Sequence, residues 1–326
     1  MKKNNKKIEL LARYRDSDKT EKFVFLTKKG IIELTWVKNK NGIAVFCLPT
    51  HHYCNLGCKF CHLSEDSSYS KQKMIKISAT DLSLAIDYTL KKYVKEKKIL
   101  FSFMGVGEPF LNLKLIIDLY KKIEKKKNYK FSYALSTMML IESEFINLLK
   151  VVNSKNIPLK IHFSLHSPID KERNKIIPHG IDNVNISLKR LKEYQKVIDK
   201  NKVINDNLVI FHKTIDAIEI HYTIIDKIND DKKSLDKLIE LGHKYKIPLK
   251  ILKFNPTKDL KRSKLEKDWL KILKKNYPTS VYFYKPPGPN IGSSCGQFTK
   301  HYYLGSNTDK EKEAFKKWHL KYNIKK

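Results

Sequence analysis

The chain has 326 residues, of which 41% are hydrophobic and 11% aromatic, so it can bury a full core and disorder is not expected. No apolar run approaches the roughly 18 residues that cross a bilayer, and the basic N-terminal stretch is not followed by a sustained apolar run. We therefore expect a cytoplasmic protein that does not associate with a membrane. The net charge of +32 suits a polyanionic partner, although the codon bias of an A/T-rich genome also produces a lysine-rich chain.

The first 41 residues differ in pattern from those that follow. Phe23 to Leu26 and Ile31 to Val37 read as antiparallel strands, which predicts a small β-rich N-terminal extension over residues 1–41. From 42 to about 300, apolar strand-like runs alternate with helical periodicity, which predicts an α/β fold. The expected strands are Ile43 to Leu48, Ile99 to Met104, Phe131 to Ser136, Leu159 to Leu165, Ile218 to Ile225 and Leu249 to Phe254. Six repeats favour an open, partial (β/α)6 barrel.

Two helical faces stand out between these strands, and they are formed by Leu82, Ala85, Ile86 and Leu90, and by Leu113, Ile116, Ile117 and Tyr120. Ser78 and Thr80 mark the start of the first helix. Later in the chain we expect a helix at Leu265 to Leu273, a strand at Val281 to Tyr284 and a basic helix or tail over residues 301–326. Ligands of parallel β/α folds gather where strands end, so the strand ends are where the candidate site residues are sought.

Five cysteines, an odd number, indicate metal or catalytic use rather than a disulfide framework in a chain of this kind. Cys54, Cys58 and Cys61 form a C-x3-C-x2-C pattern after the first expected barrel strand. Three thiolates at this spacing ligate three irons of a [4Fe–4S] cubane and leave one iron open to a chelator. The sequence therefore predicts a radical S-adenosylmethionine (SAM) enzyme, in which SAM fills that position and is cleaved to a deoxyadenosyl radical.

Three other interpretations of the cysteines fit less well. The run from Cys58 to His62 matches c-type haem attachment, but that chemistry normally accompanies export. A zinc site recruiting His51, His52 or His62 would want a second close cysteine pair, and the sequence has none. A thioredoxin-like C-x-x-C would leave Cys54 without a role.

Further motifs occur in a fixed order along the chain. They are Cys47 seven residues before Cys54, the run from Phe103 to Asn112, Leu135-Ser136-Thr137, Phe163 to Pro168 followed by Arg173, Asn255-Pro256, and Ser294 to Gln297. In this order they resemble the RlmN/Cfr family of radical SAM methyltransferases, over about residues 31 to 300. The resemblance implies methylation of an adenosine ring carbon in RNA, at C2 or C8.

The resemblance also implies the SAM-binding residues, which are Gly107, Glu108, Ser136, Ser164, Leu165, His166 and Asn255. Glu108 would pair with the SAM ammonium, and the glycines at 105 and 107 would let the backbone approach the ligand. Ser136, Ser164, Leu165 and His166 would contact its ribose and adenine, and Asn255 its carboxylate side. A lone glycine pair is otherwise typical of a tight turn, and a lone histidine at a strand end is otherwise a structural donor.

Three residues would carry the chemistry if the resemblance holds. Cys295 would accept a methyl group from one SAM, and a second SAM would provide the radical that activates this methyl for addition to adenine. Cys47 would release the protein–RNA adduct, by deprotonation or through a transient disulfide with Cys295. Glu33 matches a family proton acceptor in position, or is a solvated strand carboxylate. Taken alone, Cys47 would be a buried strand thiol.

The chain differs from the family in the regions expected to bind the substrate. The residues before the first expected strands are too few for the family's helical N-terminal domain, so we expect this sequence to lack it. Lys285 to Asn290 stand where the family has a basic stretch, and the loop after Cys61 differs. We expect a monomer that methylates RNA, 23S ribosomal RNA being favoured and transfer RNA second, with flavodoxin or ferredoxin as electron donor. The alternatives are a radical SAM enzyme acting on another substrate, such as a protein, and an RNA-binding protein with a structural cluster.

Overall fold

The computed structural model describes residues 8–38, 41–65, 67–179, 182–211, 216–293, 296–304 and 309–324. The chain divides into two compact units, and each is described by itself. The first comprises the described residues of Met1–Asn55, Ser68–Phe131 and Pro287–Lys326, and the second those of Leu56–Ser67 and Ser132–Pro286. The domain boundaries drawn from the sequence remain a prediction.

The first unit contains strands β1 to β5, in that order across the sheet. Their bounds are β1 Glu9–Arg15, β2 Glu21–Thr27, β3 Gly30–Lys38, β4 Ile43–Cys47 and β5 Lys98–Phe103. Strands β1 to β4 pair antiparallel, whereas β5 pairs parallel to β4. The two strands expected in the N-terminal extension are confirmed as β2 and β3, and β1 is an additional strand that the sequence analysis did not identify.

The described residues of the first unit form the α-helices α1 Ala79–Tyr93, α2 Leu113–Ile123, α9 Gln297–Leu304 and α10 Asp309–Tyr322. Helix α1 begins where expected, because the Ser78 hydroxyl accepts the Asp81 backbone amide at 3.1 Å as its N-cap. Its predicted apolar face is fully buried. The face predicted for α2 is partly wrong, since Leu115, Leu119 and Ile123 are buried while Ile117 and Tyr120 are half-exposed.

The second unit contains strands β6 Lys130–Thr137, β7 Leu159–Ser164, β8 Ile218–Tyr222, β9 Leu249–Leu252 and β10 Val281–Tyr284. They follow one another in this order, and all the described pairs among them are parallel. The helices are α3 Glu142–Lys155, α4 Asp170–Ile176, α5 Val184–Asp199, α6 Lys202–Phe211, α7 Lys232–Tyr245 and α8 Glu266–Asn276. Helices between successive parallel strands cover the sheet faces, which is why β7 is apolar at alternate positions and buried along nearly its whole length.

The six strands expected from the sequence are confirmed as β4 to β9. The α/β fold expected from the sequence is confirmed, with parallel strand pairs in each unit and the antiparallel extension β1 to β3 in the first. Within the described ranges, no helix combines the length and the apolar character that a bilayer crossing requires.

Candidate radical SAM site

In the first unit, two strand-end loops are joined through their backbones. The amides of Thr50 and His51, after β4, donate to the Val106 carbonyl at 2.8 and 3.2 Å. In return, the Gly105 amide donates to the Leu48 carbonyl at 3.1 Å. The loop that leads to Cys54 is thereby held against the loop that carries Gly107 and Glu108.

Two glycines make this approach feasible. A Cβ at Gly105 would lie 2.9 Å from the backbone of Leu48, and a Cβ at Gly107 would lie 2.4 Å from Nδ1 of His51. Gly107 also has a φ of +106°, which side-chain-bearing residues rarely adopt. The Gly-x-Gly spacing is thus required by the close approach of the two loops.

Glu108 and Asn112 complete this part of the motif. Glu108 is 3% exposed, and its carboxylate accepts the Phe110 amide at 3.0 Å, which caps the short 3₁₀ turn Pro109–Asn112. The Asn112 amide donates to the carbonyls of Thr50 and Ile77 at 2.8 and 3.2 Å. Asn112 therefore ties the loop after β4 to the motif, a role that the sequence analysis missed although the residue ends the motif.

The three expected cluster ligands lie on the segment that follows this loop. Cys54 belongs to the first unit, Cys58 and Cys61 to the second, all three are partly exposed, and none forms a disulfide. The Cys61 amide donates to the Cys58 carbonyl at 3.0 Å, which places both thiols on one turn. Three free thiols are the kind of donor set that a cubane with one open iron requires, so the chemistry of these residues fits the cluster.

Residues of the second unit hold the Cys58 turn in place. The Lys59 amide donates to the Ile176 carbonyl at 2.9 Å, and the Phe60 ring lies 4.5 Å from the His166 ring, centroid to centroid. Sγ of Cys58 lies 3.3 Å from Sδ of Met138, just after β6. The turn therefore packs against the ends of β6 and β7, where SAM-binding residues are expected.

The neighbouring histidines each contact another partner. Nδ1 of His51 lies 2.9 Å from the Thr50 hydroxyl, Nδ1 of His52 lies 2.8 Å from the Ile31 carbonyl, and Nδ1 of His62 lies 2.8 Å from a Glu65 carboxylate oxygen. Burial lowers the pKa of His51 to about 4, with Lys76 and His52 adding to the effect. These contacts give each imidazole a structural role and favour the cysteine-only ligand set.

Ser136, near the end of β6, has a hydroxyl that a ligand would satisfy. Its Oγ is buried and has no hydrogen-bond partner among the described residues. Buried hydroxyls are nearly always paired in native proteins, and an unpaired one at a strand end suits a bound molecule. This observation fits the expected contact with SAM.

Ser164, Leu165 and His166 follow or end β7. His166 is 4% exposed with a φ of +52°, and its Nδ1 lies 3.3 Å from the Thr223 amide nitrogen, which donates to it. Burial lowers the pKa of His166 to about 3, helped by the Arg173 charge. The imidazole is therefore neutral with its proton on Nε2, so it can donate one hydrogen bond from that atom.

Two buried polar side chains fix this strand end. Arg173 donates to the carbonyls of Leu165, Met138 and Ser164 at 2.9, 2.6 and 3.2 Å, and it is fully buried. The Asn229 amide donates to the carbonyls of His166 and Thr223. Neither role was identified from the sequence, although Arg173 is one of only five arginines and continues a quoted motif.

Asn255 lies half-buried in the loop just after β9. Because β7, β8 and β9 are parallel, their carboxyl ends lie at the same edge of the sheet in the second unit. Asn255 lies at this edge, as Leu165 and His166 do. This placement agrees with the expected ligand-binding edge.

A separate polar cluster lies among β7, β8 and β9. Nε2 of His221 lies 3.0 Å from Glu219, and ligand atoms of His162, Glu219 and His221 lie within 4.8 Å of one another. Burial alone would raise the pKa of Glu219, but the His221 hydrogen bond and nearby charges hold it well below its usual value. Lys250 contacts this carboxylate and Lys160 lies 3.5 Å away. Two cations already neutralise Glu219, which disfavours a divalent metal there.

Cys47 ends β4, opposite Thr35 of β3 and Ser102 of β5. The Thr35 hydroxyl donates to the Ser293 carbonyl at 2.6 Å. Cys295 itself lies outside the described residues, but the chain two positions before it is bonded to the residue that faces Cys47.

Glu33 is 7% exposed, so the interpretation as a solvated strand carboxylate is wrong. One oxygen accepts Nζ of Lys22 at 2.6 Å. The other accepts the backbone amide of Thr299 and, at 2.5 Å, its hydroxyl. The carboxylate is thus bonded to the segment just after Cys295.

Comparison with known proteins gives relatives over most of the chain. A probable dual-specificity RNA methyltransferase RlmN of Finegoldia magna is 26% identical over 294 residues, covering 86% of this chain and 74% of the relative. A dual-specificity RNA methyltransferase RlmN of Buchnera aphidicola subsp. Cinara cedri is 27% identical, covering 88% and 77%. The resemblance seen in the sequence is confirmed.

A crystal structure of a radical SAM methyltransferase from Sphaerobacter thermophilus shares the fold, with a TM-score of 0.64 and 18% identity over 89% of this chain and 80% of that one. The family model described as Radical SAM superfamily matches residues 48–225, which is more than half of the chain. Its members use a [4Fe–4S] cluster and SAM, the two cofactors expected from the cysteines. The chain belongs to the Radical SAM superfamily and is an enzyme.

Proposed function

We propose that this enzyme methylates a ring carbon of adenosine, C2 or C8, in RNA, with 23S ribosomal RNA favoured and transfer RNA second. The observation that carries the proposal is the link between the two remaining cysteine positions. Thr35 faces Cys47 across β3 and β4, and it binds the backbone two residues before Cys295. Relatives named as RNA methyltransferases over most of the chain support the substrate class.

The cluster held by Cys54, Cys58 and Cys61, together with SAM, would supply a carbon-centred radical and a methyl group. Around SAM, Glu108 would pair with its ammonium group, while the unpaired Ser136 hydroxyl and the Nε2 proton of His166 would bond to its oxygen and nitrogen atoms. Gly107, Ser164, Leu165 and Asn255 would complete the contacts. Each of these residues lies at or just after a strand end.

The thiolate of Cys295 would attack the methyl carbon of SAM and form a sulfur–carbon bond, with S-adenosylhomocysteine as the leaving group, because a thiolate is a good nucleophile. The methyl carbon would then be activated and added to the electron-poor adenine carbon. Cys47 would free the product, either by deprotonating the adduct or by attacking the sulfur of Cys295, which forms a transient disulfide while the carbon–sulfur bond to the nucleotide breaks and its electron pair leaves with the carbon. Glu33 would serve as proton acceptor near Cys295, in keeping with its bonds to the segment that follows.

The partners follow from charge and chemistry. The net charge of +32 favours RNA over a neutral substrate, since phosphate neutralisation releases counterions. A low-potential electron donor such as flavodoxin or ferredoxin would reduce the cluster, and the site of action would be the cytoplasm.

The test uses protein purified without oxygen and supplied with SAM, a reductant and ribosomal RNA. We expect mass spectrometry to find one methyl group on Cys295, and nucleoside analysis to find a C-methyladenosine. Cys295→Ser should form no modified nucleoside, whereas Cys47→Ser should accumulate a covalent protein–RNA adduct. An unmethylated Cys295 in protein that still cleaves SAM would contradict the proposal and favour another substrate, such as a protein.

A further inference from the structure

A buried ion pair in the first unit contacts a chain segment far away in sequence. Lys22 of β2 and Glu33 of β3 are 0% and 7% exposed, and Nζ lies 2.6 Å from the carboxylate. The strands are antiparallel with Val24 opposite Glu33, so the two side chains are diagonal neighbours on one face. Lys22 has further N–H donors, and Glu33 has a second carboxylate oxygen, available for other hydrogen bonds.

Each member of the pair binds one side of residues 294–295. Nζ of Lys22 donates to the Gly292 carbonyl at 2.6 Å. The other oxygen of Glu33 accepts the Thr299 amide, at the start of α9. Lys22 and Glu33 therefore connect the backbone at 292 and at 299 through one salt bridge.

Other residues bind the segment further upstream. Asp18 accepts the Gly288 amide at 2.8 Å, and Asp16 accepts the amide and side chain of Asn290 at 2.9 and 2.8 Å. Nε1 of Trp318, on α10, donates to the Asn290 carbonyl at 2.7 Å. The N-terminal strands, the turn between β1 and β2, and α10 thus bind the described residues 288–292 and 299 at several points.

Stability alone does not account for such a pair. Removing two charges from water costs about as much as their attraction returns, and apolar replacements of buried pairs are often neutral or stabilising. The other described hydrogen bonds of this pair all go to one segment of the chain. Each of them restrains a backbone atom, so the pair restricts the motion of that segment.

We infer that Lys22 and Glu33 are positioning residues that hold the backbone at Gly292 and at Thr299, before and after Cys295 in the chain, for methyl transfer at Cys295. The inference rests on the proposed function for its catalytic part. Lys22 was not singled out in the sequence. Glu33 acts in this role through the Thr299 backbone, and the role requires no proton transfer.

The test compares two double variants. Lys22→Met/Glu33→Leu removes both charges, and Arg13→Met/Glu21→Leu removes a matched pair on β1 and β2, where Glu21 is 2% exposed and its described partners are Arg13 and Arg15. Both variants should fold and keep the cluster absorbance. The first should melt at a lower temperature than the control, because the Gly292 carbonyl and the Thr299 amide lose their partners. Only the first should raise deuterium exchange in the peptide 296–304, by about ten-fold.

Enzyme kinetics provide the second measurement. In Lys22→Met/Glu33→Leu, the kcat for Cys295 methylation should fall about ten-fold or more while the KM for SAM is unchanged, and the control pair should match the parent. Parent-like exchange or parent-like kcat in the first variant, or equal losses in both variants, would overturn the inference.

Failure of the proposed function and failure of this inference give different results. If the parent protein takes no methyl on Cys295, the proposed function fails, and the exchange measurement still decides whether the pair holds the segment. If the double variant does not fold, Thr299→Val removes only the hydroxyl bond to Glu33. It should then raise exchange in 296–304 by about three-fold, and unchanged exchange would overturn the inference.

Discussion

The two units hold their strand-end loops in different ways. In the first unit, backbone amides after β4 bond directly to backbone carbonyls after β5, and Gly105 and Gly107 leave the space. In the second unit, buried side chains of Arg173 and Asn229 bond to the loop carbonyls after β6 and β7. Direct contact between two backbones requires glycine, and this requirement can be recognised as a motif in the sequence. Support by a buried arginine or asparagine has no such local pattern and is recognised only in the folded structure.

The largest expected effect comes from removing the side-chain support. Arg173→Met should leave the carbonyls of Leu165, Met138 and Ser164 without their donor and lower the free energy of unfolding by about 3–5 kcal/mol. Urea unfolding measures the loss. Arg190→Met is the control, since Arg190 is partly exposed and should lose less than half as much. Equal losses would show that the buried arginine has no special role.

Acid should weaken the second unit next. Burial lowers the pKa of His166 to about 3 and that of His221 to about 4, so below the unfolded value of 6.5 the unfolded chain binds more protons. Stability should be full above pH 6.5 and fall toward pH 4, by up to about 1.4 kcal/mol per pH unit for each histidine. Urea midpoints between pH 7 and pH 5 test this. His221→Gln should flatten the slope, and an unchanged slope would contradict the assignment.

A smaller effect is expected in the first unit from Gly107→Ala. The methyl group would collide with His51, and the positive φ would be strained, for a loss of about 1–3 kcal/mol. The melting temperature and the affinity for SAM should both be lower than in the parent protein. Gly42→Ala has a positive φ but no atom within 4 Å of the added Cβ, so it separates strain from collision. If the two variants lose equally, close approach is not what requires Gly107.

Ser136→Ala should change stability least. Its hydroxyl is buried without a partner, so removing it should alter the free energy of unfolding by less than about 1 kcal/mol. The affinity for SAM should nevertheless fall about ten-fold if the hydroxyl binds the ligand. Calorimetric titration with SAM measures the change. Ser132→Ala is the comparison, because that hydroxyl already donates to the Pro158 carbonyl. Unaltered SAM affinity in Ser136→Ala would remove Ser136 from the site.

Much of the chemistry was readable from spacing and periodicity. The cysteine pattern, the Gly-x-Gly-Glu-Pro run and six strands were identified because each depends on neighbours within a few residues. The face of α2 was misjudged because Leu115 and Leu119 are buried by surroundings that periodicity does not contain. Strand β1 was missed because Leu11, at an outward-facing position, interrupts the alternation of apolar and polar residues.

The sequence by itself determined the β/α repeats and the resemblance to RNA methyltransferases and predicted the cluster ligands, since local spacing controls metal ligation, turn geometry and strand periodicity. Only the tertiary structure decided that Glu33 is buried with Lys22 and bonded to Thr299, and that Arg173 supports the end of β7. Those contacts join residues distant along the chain. They depend on how strands pair and pack, and pairing across hundreds of residues leaves no periodic signal in one sequence.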